Sequence, residues 1–504
     1  MDHLRDADVE DGNFAGRVRS AVFWRSGSQI LSQIVSWTST LIVVRLLDPA
    51  DYGLFAMTQV VLNFLSFMNG YGLVSALVQA PTLDSRQVRQ AFGLMIVLNC
   101  GLALTQFGLA GVAADYYGQP LVADLLRVQA LLYLATPFIS LPEVLIGRSL
   151  SFKRPALVNI IAAMVMAIAS LTGALLGWGV WTLVIAPIIG FWVKGLGNVI
   201  ATRFFIWPSF NFRGSGGIIL FGASLLGSQL LIMVQSQADI LIGGRVLHPH
   251  ELGLYAEALF LTQIFVSRFI PPLNDVAFPV YSRMQHNKAK LSQAFCKAAR
   301  MILLVACPLY LGMAVVALPM VEILFGRKWL EMAPMVSVLA TAMPFYALQV
   351  LFSPALNAIG KPHLTAWISG LGAMLMPVSF LIGVQFGGMG LATAWALGIP
   401  LLTLLTIRIS APLLGLHVGE LARALAPALG GAIPMALAVL AVSLILPAPL
   451  PAAIRLGVLV SVGVVAYGGI LYLFWRDTLK DLIAMLRNRT IEMPAETAGA
   501  GSSA

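Results

Sequence analysis

Charge is scarce in this chain. Of 504 residues, 11% are charged and 59% are hydrophobic, whereas a soluble domain carries roughly 25% charged residues. The deficit runs along most of the length, which excludes an ordinary soluble enzyme or binding module and indicates a polytopic membrane protein. Cysteine is nearly absent too. Cys100, Cys296 and Cys307 lie in or beside apolar segments without pairing or ligand spacing, so neither disulfides nor a zinc site is expected. The chain also lacks a phosphate-binding glycine loop, a zinc motif and a nucleophile elbow. No catalytic residue, metal or cofactor is therefore assigned, and ATP bound to this chain is not expected to drive it. A cleavable signal peptide is not expected either, because the first 20 residues are polar and the apolar segment behind them is long enough to span.

What is present is a succession of long apolar segments. At about 20 residues per span, the pattern predicts an all-α integral membrane protein with about fourteen transmembrane helices. The expected divisions are a cytoplasmic N-terminal segment at 1–20, helices one to six at 21–204 and helices seven to twelve at 205–411. Helices thirteen and fourteen follow at 412–476, then a cytoplasmic tail at 477–504 whose Ala, Gly, Ser, Thr and Glu composition predicts partial disorder. Most of the 31 Lys and Arg residues fall on the side that holds both termini, which the positive-inside rule assigns to the cytoplasm. The same rule accounts for the net charge of +9 without any nucleic-acid partner.

The chain repeats itself. Arg45-Leu46-Leu47-Asp48-Pro49-Ala50-Asp51-Tyr52-Gly53-Leu54-Phe55-Ala56 returns as Arg245-Val246-Leu247-His248-Pro249-His250-Glu251-Leu252-Gly253-Leu254-Tyr255-Ala256. Upstream, Gly27-Ser28-Gln29 recurs as Gly227-Ser228-Gln229, and at a slightly larger offset Pro137-Phe138 recurs as Pro344-Phe345. Six helices per unit is an even number, so the two repeats run in parallel, related by an axis along the membrane normal. Two helices are left over at the C-terminal end. Locally, Asp48-Pro49-Ala50-Asp51 reads as a helix start: Asp48 as N-cap, Pro49 in the first turn, Asp51 reaching back. Pro249 and Glu251 keep the last two roles, and Arg45 and Arg245 are expected to snorkel or to pair with the nearby carboxylates.

Polar side chains recur at helical spacing inside the spans. Helix one carries Arg25, Ser28, Gln29, Ser32 and Gln33, and helix two carries Gln59, Asn63 and Ser66. The second half echoes them with Ser224, Gln235 and Asp239, then Gln263, Ser267 and Asn274. Such residues also glue helices together in lipid, but four stripes at corresponding places favour a shared hydrated cavity. Gln29, Gln33, Asn63, Gln235 and Gln263 are its candidate sugar-facing residues. Charges within spans are costly and so point to function. Arg25, Arg148, Lys194 and Arg268 are candidate cations for an anionic cargo such as pyrophosphate; Arg25 and Arg148 also lie near enough to the cytoplasmic ends to snorkel. Glu143 is a further charge within a span. Asp239 either pairs with a cation or takes up a coupling proton or sodium ion.

The motif Val44–Phe55, its counterpart from Ala238-Asp239 through Tyr255, and the later Gly360-Lys361-Pro362 resemble the multidrug/oligosaccharidyl-lipid/polysaccharide exporter superfamily, and within it the Wzx-type polysaccharide transporters. The resemblance covers roughly residues 20–410. It implies two lobes forming a V around a central cavity, with alternating access. It also implies an undecaprenyl-pyrophosphate-linked oligosaccharide as cargo, moved across the bacterial inner membrane for exopolysaccharide, O-antigen or capsule synthesis. Related peptidoglycan-precursor flippases hold lipid phosphates with cavity arginines, which Arg25 matches by position. Membrane lipids, a polysaccharide polymerase and a chain-length regulator are the expected partners. Two alternatives remain: a drug/cation antiporter of the same superfamily, disfavoured because helix one holds Arg25 and no carboxylate, and a membrane-embedded lipid-sugar transferase or polymerase, disfavoured by short outer loops.

Overall fold

The computed structural model describes residues 14–67, 85–149, 153–202, 206–211, 233–447, 450–478 and 480. Side chains of 14–22 and 147–149, Arg148 included, lie outside the description, as do Ser224, Gly227-Ser228-Gln229 and the tail beyond Lys480.

Among the described residues every regular element is helical. In the first half these are α1 (Phe14–Leu46), α2 (Pro49–Phe67), α3 (Ser85–Tyr117), α4 (Pro120–Gln129), α5 (Leu131–Ser149), α6 (Lys153–Leu175) and α7 (Val180–Thr202). In the second they are α8 (233–246), α9 (Pro249–Met284), α10 (Lys288–Leu324), α11 (Ala333–Val350), α12 (Phe352–Ala358), α13 (Pro362–Gly383) and α14 (Gly387–Leu414). Helices α15 (Val418–Ile445) and α16 (Ala452–Phe474) follow, residues 476–478 and 480 are again helical, and a 3-10 turn, Arg327–Met332, leads into α11.

Several elements differ from the sequence expectation. Helix α1 begins at Phe14 rather than near 21, since a helix does not have to stop where its apolar stretch does. The helical segment from Pro120 to Ser149 divides at Ala130, where the backbone tightens and the Tyr133 N–H bonds the Ala130 carbonyl at 3.2 Å. Pro271, Pro272 and Pro279 all lie inside α9, which nevertheless continues from Pro249 to Met284.

Ten helical segments among the described residues are long and apolar enough to cross a membrane. One of them, Pro362–Leu414, contains both α13 and α14, separated by a turn at Gly387 with φ +74°. Helix α1 is not among the ten, since its Ser and Gln residues dilute its apolar character. Large apolar side chains stand out from the surface, for example Val464 at 67% and Val465 at 74% exposure on α16. Lipid accepts such a face where water would penalise it.

The chain forms two compact units. The first takes in the chain up to Ile264 with Val321–Ala342 and Pro362–Leu402, and the second takes in Phe265–Met320, Met343–Lys361 and Thr403 onward. Within the first, α6 and α7 approach closely along small residues. Ala162, Ala163 and Ala167 are buried on α6, and a Cβ on Gly197 of α7 would fall 2.6 Å from Val158. That is the packing expected where lipid offers no hydrophobic drive. Two buried side-chain amides there donate hydrogen bonds: the Gln129 amide to Thr58 Oγ1 at 3.0 Å, and the Gln106 amide to the Leu126 carbonyl at 2.8 Å. Residues 206–211 lie along the start of α3, where Ser209 N–H bonds the Arg89 carbonyl at 2.8 Å. Within the second unit, Met435, Val439 and Leu459 join α15 to α16, and the Tyr467 hydroxyl donates to the Leu304 carbonyl at 2.8 Å.

Candidate functional site

The repeated motif forms two tight helix-to-helix turns, α1 to α2 and α8 to α9. In the first copy the Asp48 N–H donates to Asp51 Oδ2 at 3.1 Å, which is the reach-back expected of a capping residue. The other oxygen of Asp51 does something the sequence did not announce. It accepts the Val180 N–H at 2.9 Å, at the start of α7. In the second copy Glu251 Oε1 accepts the Gly388 N–H at 2.7 Å, at the start of α14. Each carboxylate thus caps the last helix of its own half, α7 or α14, where orphan N–H groups and the helix dipole favour negative charge. Gly179 (φ +53°) and Gly387 (φ +74°) supply the left-handed backbone beneath the two carboxylates.

The arginines work in a crossed sense. Arg45 Nε donates to the Leu324 carbonyl at 3.1 Å, and a terminal guanidinium nitrogen donates to the Ile323 carbonyl, both at the end of α10. Arg245 donates to the Asp115 carbonyl at 3.3 Å and to the Tyr116 carbonyl, both at the end of α3. Each copy's arginine therefore neutralises the carbonyl end of the third helix in the opposite half. This corrects the expectation that Arg45 and Arg245 pair with nearby carboxylates. Asp48 instead meets Lys328 at 2.8 Å, and the buried Trp329 donates its indole N–H to the Val44 carbonyl at 2.9 Å. Edge-on stacking of Tyr52 against Trp329, with centroids 5.3 Å apart, completes that side.

At the middle of the arrangement the two copies touch through glycine. A Cβ built on Gly53 would run into the Pro249 carbonyl, and one on Gly253 would run into the Pro49 carbonyl. The contact is reciprocal, as it is across any two-fold interface, with position i of one copy meeting position j of the other and the reverse.

The candidate cavity residues divide by environment. Arg25, Gln29, Gln33 and Asn63 are exposed, and spacing of four places the first three on one face of α1. Gln235 and Gln263 are partly buried, and the amide of Gln235 lies against Gly372, where an added Cβ would make it shift. Arg268 is exposed on α9 and has no hydrogen-bond or ion-pair partner among the described residues. Lys194 differs. Its Nζ lies 2.8 Å from Glu143 Oε1, bridging α7 and α5, with side chains 32% and 48% exposed. Two charges that the sequence offered separately are one ion pair.

Asp239 is wholly buried on α8 and pairs with no cation among the described residues. Its Oδ2 accepts the Tyr255 hydroxyl at 2.8 Å and the Trp395 indole N–H at 3.1 Å, while Oδ1 accepts the Ile240 N–H at 2.8 Å. Trp395 also donates to the Tyr255 oxygen at 2.9 Å. Sequence reasoning found Asp239 but missed its partners. Tyr255 was visible only as the Phe55 counterpart, and Trp395 lies far along the chain. Glu257, two positions beyond Tyr255 on α9, was passed over as well; it faces Tyr52 of the first copy.

With ten membrane-length apolar segments among its described residues, all of whose regular elements are helical, the chain is a multi-pass membrane protein built on a repeated motif. A family described as polysaccharide biosynthesis protein matches residues 42–334, and the chain belongs to it. Among its relatives is the succinoglycan biosynthesis transport protein ExoT of Rhizobium meliloti (strain 1021), 25% identical over 354 residues that cover 70% of this chain and 72% of that one. The teichuronic acid biosynthesis protein TuaB of Bacillus subtilis (strain 168) is 27% identical over 67% of this chain and 70% of its own. In fold, the chain is similar to the lipid II flippase MurJ in an inward closed conformation, with TM-score 0.74 and 12% identity over 90% of this chain and 99% of that one. It is also similar to an inward-facing multidrug resistance MATE transporter, with TM-score 0.60 and 15% identity over 78% and 98% of the two chains.

Proposed function

We propose that the chain is a flippase that moves undecaprenyl-pyrophosphate-linked oligosaccharide units across the bacterial cytoplasmic membrane by alternating access, for exopolysaccharide, O-antigen or capsule synthesis. In this reading about fourteen helices form two parallel six-helix lobes, 21–204 and 205–411, around a V-shaped cavity, with both termini cytoplasmic. The motif turns then lie at the outer face, and their reciprocal contact closes the path on that side. Sugar hydroxyls meet Gln29, Gln33, Asn63, Gln235 and Gln263. A polysaccharide polymerase and a chain-length regulator act next to it.

The observation that carries the reading is the uncommitted guanidinium of Arg268 on a membrane-crossing helix. Arg268 lies about 28 Å along α9 from Pro249, and Arg25 about 31 Å along α1 from Leu46, at roughly 1.5 Å per residue. Each is then near the inner headgroup level of a hydrocarbon core about 30 Å thick, which is where a lipid pyrophosphate enters. Arg148 joins them as a third cation. Lys194, being paired, is demoted from phosphate ligand to structural partner.

Asp239 serves as the coupling site, because a buried carboxyl held by three neutral donors can change its proton or sodium occupancy without breaking an ion pair. The test is complementation in a strain deleted for its own flippase. Arg25→Ala and Arg268→Ala together should abolish polysaccharide export at normal membrane abundance, and undiminished export by that double variant rules the cation site out. Export of cationic dyes in place of polysaccharide would favour the antiporter alternative.

A further inference from the structure

A cavity of about 800 Å³ opens in the second compact unit, and none of the candidate transport residues lines it. Its walls are the first four turns of α10, the amino-terminal turns of α15, and the short loop between α14 and α15. The loop comes close because Gly415 has φ +68° and stands where a Cβ would lie 2.8 Å from that of Lys288. A side chain there would both strain the backbone and narrow the opening.

The lining is electrostatically unbalanced. Lys288, Lys297, Arg300 and Arg423 face one carboxylate, Glu420. That carboxylate accepts the Ser292 hydroxyl at 3.4 Å and forms no ion pair among the described residues. Arg423 spends its Nε on the Gly419 carbonyl of its own helix at 3.2 Å. Arg300 is the telling member. Its Nε is buried, and it makes no hydrogen bond and no ion pair. An arginine that has lost water at Nε and gained nothing in return is costly to keep, unless a partner absent from the chain itself completes it.

Solvated cations on a cytoplasmic surface need no such explanation, and the positive-inside rule supplies many. A concave wall of four cations with a buried, unmet guanidinium nitrogen is a different arrangement. The start of α15 adds to it, since His417 gives its helix no side-chain cap and the helix dipole places partial positive charge at that end.

We infer that this cavity is a binding site for a phosphorylated anion, separate from the transport path and independent of the flippase reading. Arg300 and Arg423 hold its phosphate oxygens by forked hydrogen bonds, with Lys288 and Lys297 as point charges. The volume exceeds what a single phosphate fills, so the occupant is a phosphate carried on something larger. The two sources are the headgroup of an anionic membrane lipid and a free di- or polyphosphate from the cytoplasm.

Purified full-length protein in nanodiscs of phosphatidylcholine, with and without phosphatidylglycerol, separates them when inorganic pyrophosphate is titrated into each. A rise in the unfolding midpoint caused by phosphatidylglycerol alone identifies a lipid headgroup. A saturable rise caused by pyrophosphate in neutral discs identifies the free anion. In either case the Arg300→Gln, Arg423→Gln variant should bind at least about ten-fold more weakly, the factor associated with losing one charge-assisted hydrogen bond. The Arg476→Gln variant, whose arginine lies outside the cavity, should bind as the wild type does. Should the double variant fail to fold, the single Lys297→Gln variant, at an exposed position, takes its place and should also lower the salt dependence of binding. The inference is overturned if neither anion stabilises the wild type, or if a folded cavity variant binds as tightly as the wild type.

Discussion

Gly53 and Gly253 hold the same position in two copies of one motif, and each lies directly against the proline carbonyl that opens the other copy's helix. Neither could carry even a methyl group without moving backbone. The equivalence therefore extends beyond sequence to a reciprocal contact that brings two helix starts together.

That contact makes a steric prediction. Gly53→Ala or Gly253→Ala should destabilise the closed arrangement by about 1–3 kcal/mol, the usual cost of overpacking, and the double substitution should cost less than the sum because the first already separates the helices. Thermal unfolding of the purified protein measures the size, and polysaccharide export measures the consequence. Unchanged unfolding for both single variants would show that the close approach is not maintained in the membrane.

The crossed arginines predict a conformational effect. Arg45→Gln with Arg245→Gln removes both charged caps, each worth about 0.3–1 kcal/mol at an exposed helix end. Spin labels on Ala50→Cys and His250→Cys should then report a broader and longer distance distribution than in the parent. Identical distributions would refute a closing role for these two side chains.

For Lys194 and Glu143, exchange separates pairing from phosphate binding. Lys194→Glu or Glu143→Lys alone places two like charges within reach of each other and should reduce export. The swapped double variant should restore most of it if the pair is structural. If Lys194 instead holds the cargo's phosphate, the swap stays as inactive as Lys194→Glu.

Around Asp239 the prediction turns on shape against charge. Asp239→Asn keeps an acceptor for the Tyr255 hydroxyl and the Trp395 indole, so it should fold normally and lose ion-dependent transport. Trp395→Phe should lower stability by about 1–3 kcal/mol through the lost buried donor and affect transport less. An Asp239→Asn protein that still transports in response to an imposed ion gradient would remove Asp239 from coupling.

Legibility in the sequence followed the range of the forces. Apolar runs and helix caps are local, so the helices and the Asp48–Asp51 reach-back could be read directly. The break at Ala130 could not, because no glycine or proline marks it and its tightening is a matter of backbone geometry. The repeat was visible, and it located the motif. Its meeting across the two copies was not visible, because a glycine shows only that space is short, not what occupies it. The same holds for Arg45. Its spacing offered Asp48 as a partner, while the carbonyl end of α10 lies far away in sequence and carries no side-chain signature. Glu143 was seen as a charge but not as the partner of Lys194, since only the packing of α5 against α7 joins them.

The crossed service of the arginines limits how such a protein can be reassembled. Arg45 completes a helix that ends at Leu324, and Arg245 completes one that ends at Tyr117. A chimera that takes one half from a distant relative keeps its chain intact but entrusts two helix ends to arginines matched to other backbones. The two halves are thus heritable as a set, and successful recombination between relatives is expected to exchange both or neither.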